Sequence, residues 1–167
     1  MKEPLMIDKI VISQKDFLQY EFTHPDERII DYFTKRALHT AEFLFRADFS
    51  QLDSEKTGLV LSTRRGVYRS LGEIAEAIRE KGYKGINPSF FPNVMLSTTL
   101  ARLAILCNVH GPSCVFYDEE ENDKDAMEYC ELQIQLGNCE AMILICADET
   151  DCCKGYFMRG NYENCFD

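Results

Sequence analysis

Two stretches of the chain, Thr57 to Thr63 (TGLVLST) and Ala141 to Ala147 (AMILICA), carry neither a charge nor any alternation of polar with apolar residues. A strand with one wet face alternates, so a run without alternation belongs to a sheet covered on both faces. Helical spacing fills the intervals between such runs. Ile29, Ile30, Phe33, Ala37, Leu38, Ala41 and Leu44 recur at three- and four-residue steps, after a start suited to Pro25 and Asp26. Leu71, Ile74, Ala75 and Ile78 mark a second helix, which stops near Lys81 and Gly82. Val94 to Cys107 predicts a third, after a loop punctuated by Asn87-Pro88 and Pro92. Ala126, Met127, Cys130, Ile134 and Leu136 predict a fourth, ending at Gly137. Ile7 to Ser13 and Ser113 to Tyr117 read as further strands, and Tyr156 to Met158 as a last short one. The expected fold is α/β, a mixed, mostly parallel sheet flanked by helices in three layers. At 167 residues, residues 1–167 are expected to form a single domain.

The formal charge is −10, which repels phosphate backbones and speaks against non-specific nucleic-acid binding. No apolar run reaches the length of a membrane span, and the first residues lack a basic-then-apolar leader. The expectation is a cytoplasmic protein with no membrane partner. Eight cysteines could suggest a disulfide framework, but without an export signal they read as reduced thiols. Cys107, Cys114, Cys130, Cys139 and Cys146 sit among aliphatics as small core residues. Cys152, Cys153 and Cys165 cluster near the end but lack paired C-x2-C spacing, so neither a metal site nor any cofactor is expected. The acidic run Asp118 to Asp125 lacks the spacing and closing glutamate of a calcium loop.

Four segments stand in a recognisable order. They are Leu59 to Gly66 (LVLSTRRG), Asn87 to Asn93 (NPSFFPN), Ala101 to Ser113 ending in His110-Gly111-Pro112-Ser113, and Gln135 to Glu140 (QLGNCE) with its following apolar strand and Ala147-Asp148-Glu149. Together they resemble the N-terminal half of β-ketoacyl synthases of the thiolase-like superfamily, over about residues 5 to 150. The resemblance implies a sheet in the order 3-2-1-4, counting strands along the chain, with an antiparallel fifth strand from around Tyr156. It also implies Claisen chemistry as a 3-oxoacyl-[acyl-carrier-protein] synthase. There, a cysteine at a helix N-terminus takes the acyl chain, with its thiol activated by helix N–H groups, and two histidines from the C-terminal half assist.

This sequence departs from that pattern. Counted from Gly111, the nucleophile position falls on Glu120, and no cysteine lies between Cys114 and Cys130. A carboxylate is a poor acyl acceptor beside a thiolate. His24, His39 and His110 do not match the family's pair, and the second half is not in the sequence. Glu120 therefore has two readings. One is a side chain filling the nucleophile site, like the glutamine of chain-length-factor subunits. The other is one of several acids at a helix start, with Asp118 or Glu119 near the cap. Arg64 and Arg65 are either surface charges or a grip for the phosphate of a carrier arm or coenzyme A. Phe90 and Phe91 are either loop packing or, as the resemblance implies, near the dimer contact and acyl pocket.

The resemblance further implies that Ser113, Cys114, Val115, Phe116 and Tyr117 form a strand pairing across a two-fold axis. The leading expectation is a non-catalytic scaffold, pairing or acyl-carrier-binding component of fatty-acid or polyketide-type biosynthesis, not itself an enzyme. Its partner is a second copy or a full-length ketoacyl synthase, with acyl carrier protein as a further one. The alternatives are an acyltransferase component completed in trans by a partner synthase, and a thiol- or metal-responsive protein built on Cys152, Cys153 and Cys165.

Overall fold

The computed structural model describes residues 4–19, 30–45, 52–117 and 123–160. Strands β2 (Thr57–Thr63) and β4 (Ala141–Cys146) are buried at every residue and pair in parallel, Leu59 opposite Ile143. These are the two runs without alternation, and they occupy the middle of the sheet. Strand β3 (Ser113–Tyr117) lies parallel on the outer side of β2. Strand β5 (Cys153–Gly160) returns antiparallel to β4, and β1 (Pro4–Ile12) runs antiparallel to β5. The order is β1-β5-β4-β2-β3, so only β5 opposes the common direction.

Helices α2 (Tyr32–Leu44) and α4 (Leu96–Cys107) cover one face. Phe33, Ala37, Leu38, Leu44 and Leu103 pack there on Leu59, Leu61, Ile143, Ile145 and Phe157. Helix α5 (Lys124–Gln135) covers the other, setting Ala126, Cys130 and Ile134 against Val60, Met142, Leu144 and Met158. Helix α3 (Tyr68–Lys81) buries no residue completely and rides on the outside. A 3-10 segment, Pro88–Val94, leads into α4. This is the three-layer α/β arrangement that the apolar runs require.

The order 3-2-1-4 places the first strand between β2 and β4, whereas those two pair directly and β1 lies at the edge. The reason is visible in β1 itself. Lys9 and Val11 are exposed, and a register shift falls between Met6 and Asp8, features that a sheet interior does not tolerate. After β1, Ser13 and Asp16 form a reciprocal capping box that starts a short helix α1 (Gln14–Leu18). The cap of α5 is Asp123, while Asp118 and Glu119 lie outside the described residues. Asp31 caps α2, accepting the Thr34 N–H at 3.2 Å, while Pro25 and Asp26 lie outside the described residues.

The turn into β3 depends on one glycine. A Cβ on Gly111 would stand 2.4 Å from the Thr57 carbonyl oxygen, which accepts the Gly111 N–H at 3.1 Å.

Candidate functional site

In sheets of parallel strands, ligands gather where the strands end. At the carboxyl ends of β2 and β4 a polar cavity of about 260 Å³ opens beside the start of α5. Its organising carboxylate is Asp148, just past β4. Asp148 accepts the Thr63 hydroxyl at 3.0 Å, the Arg65 N–H at 3.1 Å and the Arg64 N–H at 3.4 Å. The Thr63 hydroxyl oxygen in turn accepts the Gly66 N–H at 2.9 Å. The Arg64 guanidinium pairs with Asp148 at 3.5 Å and with Asp151. Arg64 thus ties the β4–β5 loop to the end of β2, and two carboxylates answer its charge. Arg65 is exposed, with Thr150 as its side-chain partner at 3.4 Å.

The loop is gripped from behind by Arg36 of α2, which is 1% exposed. Its guanidinium donates to the Asp151 carbonyl, to Cys153 Sγ at 3.4 Å and to the Tyr32 hydroxyl at 3.4 Å. It lies over the rings of Phe17 and Tyr32 at 5.2 and 5.7 Å. A planar, permanently charged fork suits this many partners at one buried point.

The third part of the site is Asp123, whose backbone is left-handed at φ 54 and whose side chain makes no capping bond. Instead it pairs with Lys154 of β5 at 2.7 Å. Burial works against the Lys154 charge, but the Asp123 bond outweighs it and holds the ammonium above its usual range. Cys146 faces the same cavity, where burial first and the Asp123 carboxylate second push its thiol up. Ser62 also lines it, with a buried hydroxyl that has no hydrogen-bond partner among the described residues.

Several other thiols are shifted in the same direction. Burial pushes Cys107 up to about 12 and Cys139 to about 11, and raises Cys114 and Cys130. An acyl-accepting thiol needs the opposite shift. Cys152 is exposed and Cys153 buried, while Cys165 lies outside the described residues. Among the described residues no group of three His, Cys, Asp or Glu could hold a metal ion. No single helix among them is long and apolar enough to cross a membrane.

Of the sequence candidates among the described residues, Arg64 and Cys152 line this cavity. Glu120 and His24 lie outside the described residues. His39 is buried between the rings of Phe17 and Phe43, and His110 is exposed and bonded to Glu55 at 2.8 Å. Phe90 and Phe91 are exposed on the 3-10 segment, and Phe90 lines a second cavity between α3 and the start of α2. Ser113, Cys114, Val115, Phe116 and Tyr117 form an edge strand, exposed at both ends and half-buried between. Sequence reading missed Asp123, Lys154 and Arg36. No local spacing signals a pair 31 residues apart, nor an arginine amid helix-spaced apolar residues.

No protein-family model and no curated protein matches the sequence. Solved structures do. The AntDE:AntF complex, a type II polyketide synthase acyl-carrier protein with its ketosynthase bound to the hexaketide, superposes with a TM-score of 0.81 at 13% identity. It aligns with 96% of this chain and 63% of its own. The ishigamide ketosynthase/chain length factor gives 0.73 at 12% identity, over 97% of this chain and 63% of its own. A ketosynthase in complex with its chain length factor from Xenorhabdus doucetiae gives 0.68 at 10% identity, over 95% and 79%. The chain therefore spans less than two thirds of the first of these relatives. The likeness shows the fold: a thiolase-like, ketosynthase-type mixed sheet flanked by helices.

Proposed function

We propose that residues 1–167 form one ketosynthase-like domain that does no acyl transfer of its own and works by pairing in fatty-acid or polyketide-type biosynthesis. The observation that carries this reading is the state of the start of α5. The resemblance asks for an activated thiolate there, and the chain supplies a carboxylate locked to an ammonium, with Cys146 beside it held protonated. The pairing half of the reading draws on the two edges of the sheet. The β1 edge carries Asp8, Lys9 and a register shift, which discourage strand addition. The β3 edge (SCVFY) carries no charge and no proline. Tyr117 is exposed on the strand, and Tyr68 at the start of α3, Phe91 on the 3-10 segment and Met95 just before α4 are exposed as well. Tyr117 lies against Gly66 and close to Leu96, which joins the edge to those segments. Such a surface fits a second copy of the chain or a full-length ketosynthase. The solved relatives, which include complexes with a chain length factor or an acyl-carrier protein, favour partners of that kind.

Two measurements test the reading. Incubation with a small acyl thioester should leave the intact mass unchanged; an acyl adduct overturns the non-catalytic half. Light scattering should give a concentration-independent dimer, alone or with an added ketosynthase, that Val115→Lys converts to monomer. A dimer that Val115→Lys leaves intact removes β3 from the interface. Condensing activity that appears only with a partner ketosynthase and is lost in Glu120→Ala would instead support an active site completed in trans.

A further inference from the structure

The second cavity, of about 480 Å³, lies between the start of α2, the first turns of α3 and the 3-10 segment before α4. That volume is typical of small-molecule sites. Ile30, Ile74, Ala77, Ile86 and Phe90 make it largely apolar, and Asp31 places a carboxylate in its lining. One Asp31 oxygen accepts the Thr34 N–H at 3.2 Å and the other the Ser70 hydroxyl at 3.3 Å, and the Thr34 side chain and the Phe33 backbone also bond to the carboxylate. Among the described residues Asp31 has no ion-pair partner.

The one cation in the lining, Arg69, is already engaged. Its guanidinium pairs with Glu73 at 3.1 Å and lies over the Tyr32 ring at 5.6 Å, while its backbone N–H goes to Glu149 at 3.1 Å. Glu149 keeps a second oxygen buried with no hydrogen-bond partner among the described residues. Burial raises the Asp31 carboxyl. Burial raises Glu149 too, and the nearby charges of Asp31 and Glu73 add to that shift. Three carboxylates thus meet one arginine beside an apolar cavity, an arrangement short of a cation.

We propose that this cavity binds a small amphipathic amine, its ammonium paired with the Asp31 carboxylate and its hydrocarbon chain between Ile74, Ile86 and Phe90. The idea is independent of the pairing role: it needs neither the β3 edge nor the polar cavity.

Calorimetric titration with n-hexylamine, n-hexanol and hexanoate tests it. Hexylamine should bind saturably, and at least about tenfold more tightly than hexanol, because one charge-assisted contact separates them. Hexanoate should not bind. Asp31→Asn keeps a side chain that caps a helix well, so the protein should fold and bind hexylamine about tenfold more weakly. Ala77→Phe fills the cavity without touching the carboxylate and should abolish binding of both ligands. Equal affinity for hexylamine and hexanol, unchanged binding in either variant, or no saturable binding at millimolar amine overturns the proposal.

Discussion

Arg36 and the Asp123–Lys154 pair show how single residues hold the polar cavity and its loop in place. Arg36 is buried at the back of the β4–β5 loop and serves three acceptors there. Arg36→Met removes all three bonds and leaves the Asp151 carbonyl and the Tyr32 hydroxyl short of a donor. The loss should be about 2–4 kcal/mol in urea unfolding. Arg36→Lys should recover little of it, since an ammonium cannot span the same partners; full recovery would show that charge alone matters there. Lys154→Met strands a nearly buried carboxylate and should cost about 1–3 kcal/mol, while adding Asp123→Asn should return part of that. The sign with pH follows from the raised Lys154 value. Its contribution is complete below the ordinary lysine range and fades as pH climbs through the higher folded-state value. Wild type should therefore lose an alkaline stability increment that Lys154→Met never had. Parallel pH–stability curves for the two proteins would discard this account.

Among the elements, the central strands and the β3 edge were legible, and the place of β1 was not. β2 and β4 follow from their unbroken apolar character, and the end of α3 follows from its basic last turn and Gly82. Hydrophobic pattern says that a strand is covered on both faces but not which neighbour it pairs with, so the place of β1 escaped it. The start of α5 escaped it as well, because an acidic run offers several equivalent caps. Arg64 and Asp148 stood in quoted motifs, but their joining depends on β2 and β4 ending side by side. Two glycines give the element-scale prediction, because their roles differ. Gly111→Ala drives a methyl into the Thr57 carbonyl, backbone against backbone, and should cost roughly 2 kcal/mol or more by shifting the entry to β3. Gly72 lies within α3 with nothing within 4 Å of its would-be Cβ. Gly72→Ala should stabilise by about 0.5–1 kcal/mol through helix propensity. Thermal unfolding of the two variants should move in opposite directions, and a shared sign would mean the α3 backbone or the β3 turn is not as described.

For the whole molecule, the distribution of exposed side chains decides which faces invite a partner. α5 covers the sheet with a narrow buried stripe, Ala126, Cys130 and Ile134, and turns Lys124, Asp125, Glu128 and Gln135 outward. Lys124 and Glu128 pair along that face at 3.7 Å. Leu132 and Leu136 are also exposed on α5, but they stand beside these polar residues and not in a continuous apolar field. A helix layer built to lie between two sheets would bury both sides, and α5 is built to bury one. Further exposed apolar side chains lie on β3 and around the 3-10 segment, at Tyr117, Phe91 and Met95, and on α4 at Ile105 and Leu106. The two faces should therefore answer substitution differently. Replacing Leu132 and Leu136 together by Glu should change folding stability by no more than about 0.5 kcal/mol, the usual effect at an open surface. It should also leave the solution mass as it is. Replacing Phe91 and Tyr117 by Glu should leave the circular dichroism of the monomer intact and raise the dissociation constant of the paired state at least about tenfold, by removing apolar area from the interface. If the α5 variant falls apart and the β3-side variant stays paired, then α5 is the covered layer and its charges must find partners on another chain.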